Sequence, residues 1–253
     1  MMLQALILAA AGTFFTWLMT TLGAAMVFFL PAGPGVRLQK ALLGFAAGVM
    51  TAASVWSLLL PAIEQMEADG TLPGWAAAAG GMLLGVAFLA ALDAALPRLR
   101  RAPLGEEQRQ SVLLMTAITL HNIPEGMAVG LAFALAAEGE GLAAAAALAM
   151  GIGIQNFPEG AAIALPLRQQ GMSRRRAFAG GMLSGSVEPV FGVLVVLVAA
   201  GIRSAMPWLL SFAAGAMLYV VVEELVPQAH SRSGTCGFVT GFLAMMVLDV
   251  ALG

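Results

Sequence analysis

Residues His121–Gly126 read HNIPEG and residues Gln155–Gly160 read QNFPEG, and each hexapeptide sits in the middle of an otherwise apolar segment. Polar side chains and a helix-breaking proline inside hydrocarbon are tolerated where the irregular backbone lines a polar cavity. A pattern that occurs twice predicts two helices that share such a cavity. His121 and Glu125 are four residues apart, so an α-helix stacks them on one face about 6 Å apart along its axis. Gln155 and Glu159 repeat the spacing. Each hexapeptide therefore presents a nitrogen or oxygen donor one turn before a carboxylate, and two such helices facing each other make a four-ligand set for a metal ion.

The rest of the chain agrees with a lipid setting. Of 253 residues, 60% are hydrophobic and 10% are charged, and the mean hydropathy is +0.91. These values describe an integral membrane protein with little left over for a soluble domain. A spanning helix needs about 20 apolar residues. Breaking the chain at charges and Gly/Pro turns yields about eight apolar segments, near 3–30, 39–63, 72–96, 111–137, 141–167, 175–201, 206–226 and 234–252. The runs are Ala/Leu/Gly/Met continua without period-two alternation, so the expected class is all-α and polytopic rather than a membrane barrel. The N-terminal segment lacks the basic opening of a signal peptide and reads as a retained first helix. Cys236 is alone, which excludes an internal disulfide or a thiolate cage, and no basic run with interleaved aromatics suits nucleic acid.

Orientation follows from the cations. Of the 12 Lys and Arg residues, only Arg203 falls in an even-numbered connection. The positive-inside rule then makes the odd connections cytoplasmic and puts both termini outside; the expected location is the cell (inner) membrane, as a multi-pass protein. The outer connections carry Glu64, Glu67, Asp69, Glu138 and Glu140, which are either solvated acids or a face that attracts cations.

Glu125, Glu159 and Glu188 lie near the middle of their segments. An unpaired charge there costs at least about 2.5 to 3.5 kcal/mol, so each needs compensation. Pro124, Pro158 and Pro189 remove donors to the carbonyls of Leu120, Ile154 and Gly185, which leaves acceptors free beside the carboxylates. Gly126 and Gly160 admit a close neighbour. Asn122 and Asn156, about 100° round the helix from the preceding donors, reach towards a second position, so two ions bridged by Glu125 and Glu159 fit the spacing.

With these motifs the chain resembles the ZIP family of zinc- and iron-transporting membrane proteins, in a bacterial-type form. HNIPEG and QNFPEG look like the paired signatures of that family's fourth and fifth helices, and the likeness covers nearly the whole chain. It implies one transmembrane transporter domain over 1–253, eight helices with both termini outside, and a metal site lined by His121, Asn122, Glu125, Gln155, Asn156, Glu159 and Glu188. It also implicates Met50 as a soft ligand. Two departures stand out. The stretch PRLRRAPLGEEQRQ contains no His where many members have a His-rich loop. Gln155 and Asn156 stand where many members have His and some have a carboxylate, which weakens the second ion position.

Three carboxylates leave two divalent ions short of one negative charge in low dielectric, so the expectation is one well-held ion and a weaker neighbour. One imidazole with amide and carboxylate oxygens suits Zn²⁺, accommodates Cd²⁺, Fe²⁺, Mn²⁺ or Co²⁺, and is poor for Cu(I). Asp93, Glu223, Glu224 and His230 lie towards the cytoplasmic ends of the third and seventh segments, where they can pass an ion inward or simply solvate a helix end. Asp249, near the outer end of the last segment, reads as structural.

The leading expectation is a transporter that carries divalent metal, as substrate, from outside into the cytoplasm, and not an enzyme. An intramembrane metalloprotease would also bury His and Glu, but HExxH is absent and the chain has only His121 and His230. A metal-gated receptor would need a soluble domain to carry the signal. Midplane ligands suit a carrier better than an open pore. The partners implied are metal ions and lipid; a homodimer is compatible with the sequence and is not specified by it.

Overall fold

A computed structural model describes residues 2–30, 35–99, 106–137, 139, 141–201 and 203–252. Arg100 and Arg101 of the third connection and Glu138 and Glu140 of the fourth lie outside the described residues. Among the described residues every regular element is helical. The helices are α1 (Met2–Ala25), α2 (Val36–Ala53), α3 (Leu60–Asp69), α4 (Gly74–Leu99), α5 (Glu106–Ala136), α6 (Leu142–Gln169), α7 (Arg174–Gly185), α8 (Val187–Gly201), α9 (Met206–Val220), α10 (Val226–Ala229) and α11 (Arg232–Leu252).

Among the described residues, six stretches are long and apolar enough to cross a membrane: Met2–Phe28, Val36–Asp69, Gly74–Ala95, Arg174–Ala199, Met206–Ala229 and Arg232–Ala251. The chain is a multi-pass membrane protein. Helices α5 and α6, with 31 and 28 residues, are long enough but are not among the six. Each carries a hexapeptide: in α6, Gln155, Asn156 and Glu159 dilute the apolar composition that defines a crossing, and in α5 the side chains of residues 106–118 lie outside the described residues. The side chains most exposed on the other helices are those lipid would cover, among them Leu3, Trp75, Leu83 and Val250.

The helices pair closely as α1 with α6, α2 with α11, α4 with α9 and α5 with α8. Small residues set these approaches, as expected where lipid removes the hydrophobic drive and packing must supply the contact. Two matter for the site. A Cβ on Gly126 of α5 would overlap the backbone of Glu188 in α8, and a Cβ on Gly160 of α6 would overlap the carbonyl of Thr20 in α1. The glycines that end both hexapeptides thus bring α8 and α1 against the motif helices.

Three local features depart from uniform α-helix. The segment read as one helix over 175–201 is interrupted at Ser186, between α7 and α8. Pro189 cannot donate to Gly185, and the break falls one residue after that freed carbonyl. Between α2 and α3, Ser54–Leu59 forms a π-helical stretch before Pro61, and Val221–Leu225 forms another between α9 and α10 before Pro227. Each π turn inserts a residue and rotates the downstream helix by about 100° relative to an unbroken one. Pro124 and Pro158, by contrast, lie inside continuous helices.

Candidate metal centre

His121, Asn122, Glu125, Gln155, Asn156, Glu159 and Glu188 are all buried, and Glu125, Gln155, Asn156 and Glu188 are completely so. Helix α5 supplies the first three, α6 the next three, and the first turn of α8 supplies Glu188. A carboxylate in a helix's first turn faces the positive end of the backbone dipole, which favours its charge there.

The motif helices meet through Gln155, whose Nε2 donates to Glu125 Oε1 at 2.6 Å. Asn156 Nδ2 donates to Glu188 Oε2 at 2.9 Å and to the carbonyl of Thr16 at 3.4 Å. Glu188 Oε1 accepts from the hydroxyl of Thr20 at 3.2 Å. His121 Nε2 lies 2.6 Å from Glu224 Oε1. Glu159 is within electrostatic reach of Glu125, Glu188 and Glu224.

These contacts differ from a simple four-ligand cluster of His121, Glu125, Gln155 and Glu159. Among the described residues no three His, Cys, Asp or Glu side chains converge on one point. Glu125 is instead met by an amide, Glu188 by an amide and a hydroxyl, and Glu224 by the imidazole. Like charges in low dielectric repel strongly, and amides interleaved between carboxylates relieve that repulsion while keeping oxygens close by.

Several buried polar atoms nevertheless have no protein partner: Glu125 Oε2, Gln155 Oε1, Asn156 Oδ1 and both amide atoms of Asn122. Buried polar groups are ordinarily hydrogen-bonded, and each one left unmet costs on the order of 1 to 3 kcal/mol. Four of these unmet atoms are oxygens, carried by two neighbouring helices.

The remaining sequence candidates scatter. Met50 is fully buried in the main apolar core. Asp93 is exposed and accepts from Tyr219 at 3.3 Å, Glu223 is exposed, and His230 is exposed with its carbonyl accepting from Lys40 at 3.1 Å. Glu224 does not continue outward with them, because it lies in the π stretch and faces His121. Asp249 is buried away from the motifs, with Ser57 donating to its Oδ1 at 2.7 Å. Sequence reasoning missed Thr16 and Thr20 of α1. Their signal was present in TFFTWLMT, where Thr13, Thr16 and Thr20 recur at helical spacing within an apolar helix and are all buried.

Comparison with known proteins finds relatives over most of the chain. The family model described as ZIP Zinc transporter matches residues 100–249, which include both hexapeptides, Glu188 and Glu224. The chain is 36% identical to the zinc transporter ZIP11 of Homo sapiens, with 97% of each chain covered. It is 40% identical to the zinc transporter GufA of Myxococcus xanthus, covering 87% of each, and 40% identical to the zinc transporter ZIPB of Bordetella bronchiseptica, covering 92% of this chain and 78% of that one. A matched region that spans more than half the sequence and contains both hexapeptides and Glu188, with relatives at 36% and 40% identity covered over most of their length, places this chain in the ZIP zinc transporter family.

Proposed function

We propose that the protein carries divalent metal ions, Zn²⁺ foremost, across the inner membrane into the cytoplasm through the site between α5 and α6. The single observation that carries the reading is the group of unmet buried oxygens of Asn122, Glu125, Gln155 and Asn156. His121, Glu159 and Glu188 complete the lining, with Met50 as a soft ligand from α2. Residues 1–253 act as one transport unit, in which α5 and α6 cross the membrane with the six apolar spans and both termini face outward. Asp93, Glu223 and His230 serve the inward route.

Glu224 changes the charge count. With it, four carboxylates stand around the motifs, enough to balance two divalent ions, where sequence reasoning counted three. It also shares a short hydrogen bond with His121 Nε2. An ion that takes Nε2 must break that bond and expel the proton it holds.

Metal ligands must be deprotonated, so protons and metal compete for this site. Lowering the pH raises the competing species. Apparent Zn²⁺ affinity is therefore expected to weaken from about pH 8 to about pH 5. Uptake of Zn²⁺ into proteoliposomes, measured against concentration at each pH, checks this. Saturable uptake by protein-containing vesicles and not by empty ones supports the transport reading. No uptake by folded protein overturns it, and an affinity flat with pH overturns the competition.

Charge balance also sets an expectation for Asn156→Asp. The variant adds a fifth carboxylate to the group, beside Glu188. It should hold a second ion at least as tightly as the parent, and should not exceed the parent in maximal uptake rate, because an ion bound too well leaves slowly. Calorimetric titration together with uptake tests it, and a faster maximal rate would refute it.

A further inference from the structure

The hydroxyl of Thr20 has one proton and two acceptors in reach, the Thr16 carbonyl at 3.3 Å and Glu188 Oε1 at 3.2 Å. Threonines in helices usually bond back to the preceding turn. Thr13 does so at 2.7 Å, Thr21 at 2.9 Å and Thr51 at 2.7 Å. The bond of Thr20 to its own helix is the loosest of these, as expected of a proton shared with a carboxylate on another helix.

Asn156 completes the arrangement. Its two N–H groups point at Glu188 Oε2 and at the Thr16 carbonyl, neither of which can donate when Glu188 is ionised. Turning the amide over would set its oxygen against two oxygens, so the orientation is fixed and Oδ1 is the atom left without a protein partner. Glu188 follows the break at Ser186, so no unbroken helix holds it from the N-terminal side. Its two oxygens are tied instead by α1 and α6. Contact between Gly160 and the Thr20 carbonyl keeps α1 at this level.

We propose that α1 is a third wall of the metal centre, in which Thr20 and the Thr16 carbonyl act as positioning groups that hold Glu188 and turn Asn156 Oδ1 towards the ion. The inference rests on the transport reading above and deepens it: α1 sets the affinity of the position served by Asn156 and Glu188. A carboxylate oxygen has two lone-pair sites, so the bond from Thr20 leaves one for the ion while removing rotamers that the free side chain would otherwise populate.

The test compares the parent with Thr20→Val, which keeps the shape and removes the donor, and Thr20→Ser, which keeps the donor. Thr20→Ala serves as a second deletion should the valine variant fail to fold. Each is purified in lipid nanodiscs and titrated calorimetrically with Zn²⁺, and uptake is measured in proteoliposomes. Partners that orient metal ligands are worth about 10 to 100-fold in affinity. The valine or alanine variant should weaken the second binding step by about 10-fold and raise the apparent KM at an unchanged maximal rate, while the serine variant stays within about 2-fold of the parent. Unchanged binding in the deletion variants overturns the inference even if they melt at lower temperature, because that pattern describes a packing role. Equal weakening of both steps, or failure of serine to rescue, overturns it too. A parent that binds no Zn²⁺ at all overturns the transport reading itself.

Discussion

Glu125→Ala and His121→Ala are each expected to abolish saturable divalent-metal uptake while leaving a folded, membrane-inserted protein. Glu125 has one oxygen held by Gln155 and one with no protein partner, and His121 is the only imidazole in the buried set. Removing a direct ligand should cost no less than removing a partner that merely orients one, which places the loss of apparent affinity at about 100-fold or more. Folding should survive, because deleting a buried carboxylate also deletes the cost of desolvating it. Glu125→Gln sharpens the test by keeping volume and hydrogen bonding while removing charge. Zn²⁺ uptake at parental KM in any of the three, at matched expression, would sink the site assignment.

Gly160→Val should have the largest structural effect. Its added atoms meet the Thr20 carbonyl, and a backbone cannot rotate aside as a flexible side chain can. Overpacking of a tight interior costs about 1 to 3 kcal/mol where side chains yield, and more is expected against a main chain. Separating α1 from α6 also breaks the bonds of Asn156 to the Thr16 carbonyl and of Thr20 to Glu188. Lower yield, a lower thermal midpoint and loss of uptake should appear together. Gly35→Val is the control, since nothing lies within 4 Å of the Cβ it would add. Equal stability of the two variants would show that the contact between α1 and α6 is slack.

Much of this architecture was legible in the sequence because lipid enforces simple rules. Unbroken Ala/Leu/Gly/Met runs can only be helices there, and the repeated PEG with its upstream polar pair marked the two helices that meet through Gln155 and Glu125. What stayed hidden depended on rotation about helix axes. Glu224 reads as an inward-route residue if the seventh segment is uniform α-helix; the π turn aims it at His121, and no hydropathy pattern encodes that turn. The break at Ser186 was half visible, since Pro189 demanded a disturbance without saying where it would fall. Thr16 and Thr20 were overlooked because threonine in a membrane helix ordinarily satisfies itself against the preceding turn. Only the neighbouring positions of α6 and α8 reveal that Thr20 also serves another helix.

The contact made by Gly126 and Gly160 bears on how this protein can change over generations. A single-base change in a glycine codon that alters the residue gives Ala, Val, Asp, Glu, Ser, Cys, Arg or Trp, and every one of these carries a Cβ. At these two positions that carbon falls on the backbone of a neighbouring helix. No one-step missense route therefore leads away from either glycine without displacing α1 or α8, and with them the groups that hold Glu188. The polar pair that opens each hexapeptide already carries side chains, so a substitution there adds no Cβ against a neighbouring backbone. Drift in metal preference among descendants of this chain should accordingly appear at His121, Asn122, Gln155 and Asn156, while the third letter of each PEG stays still.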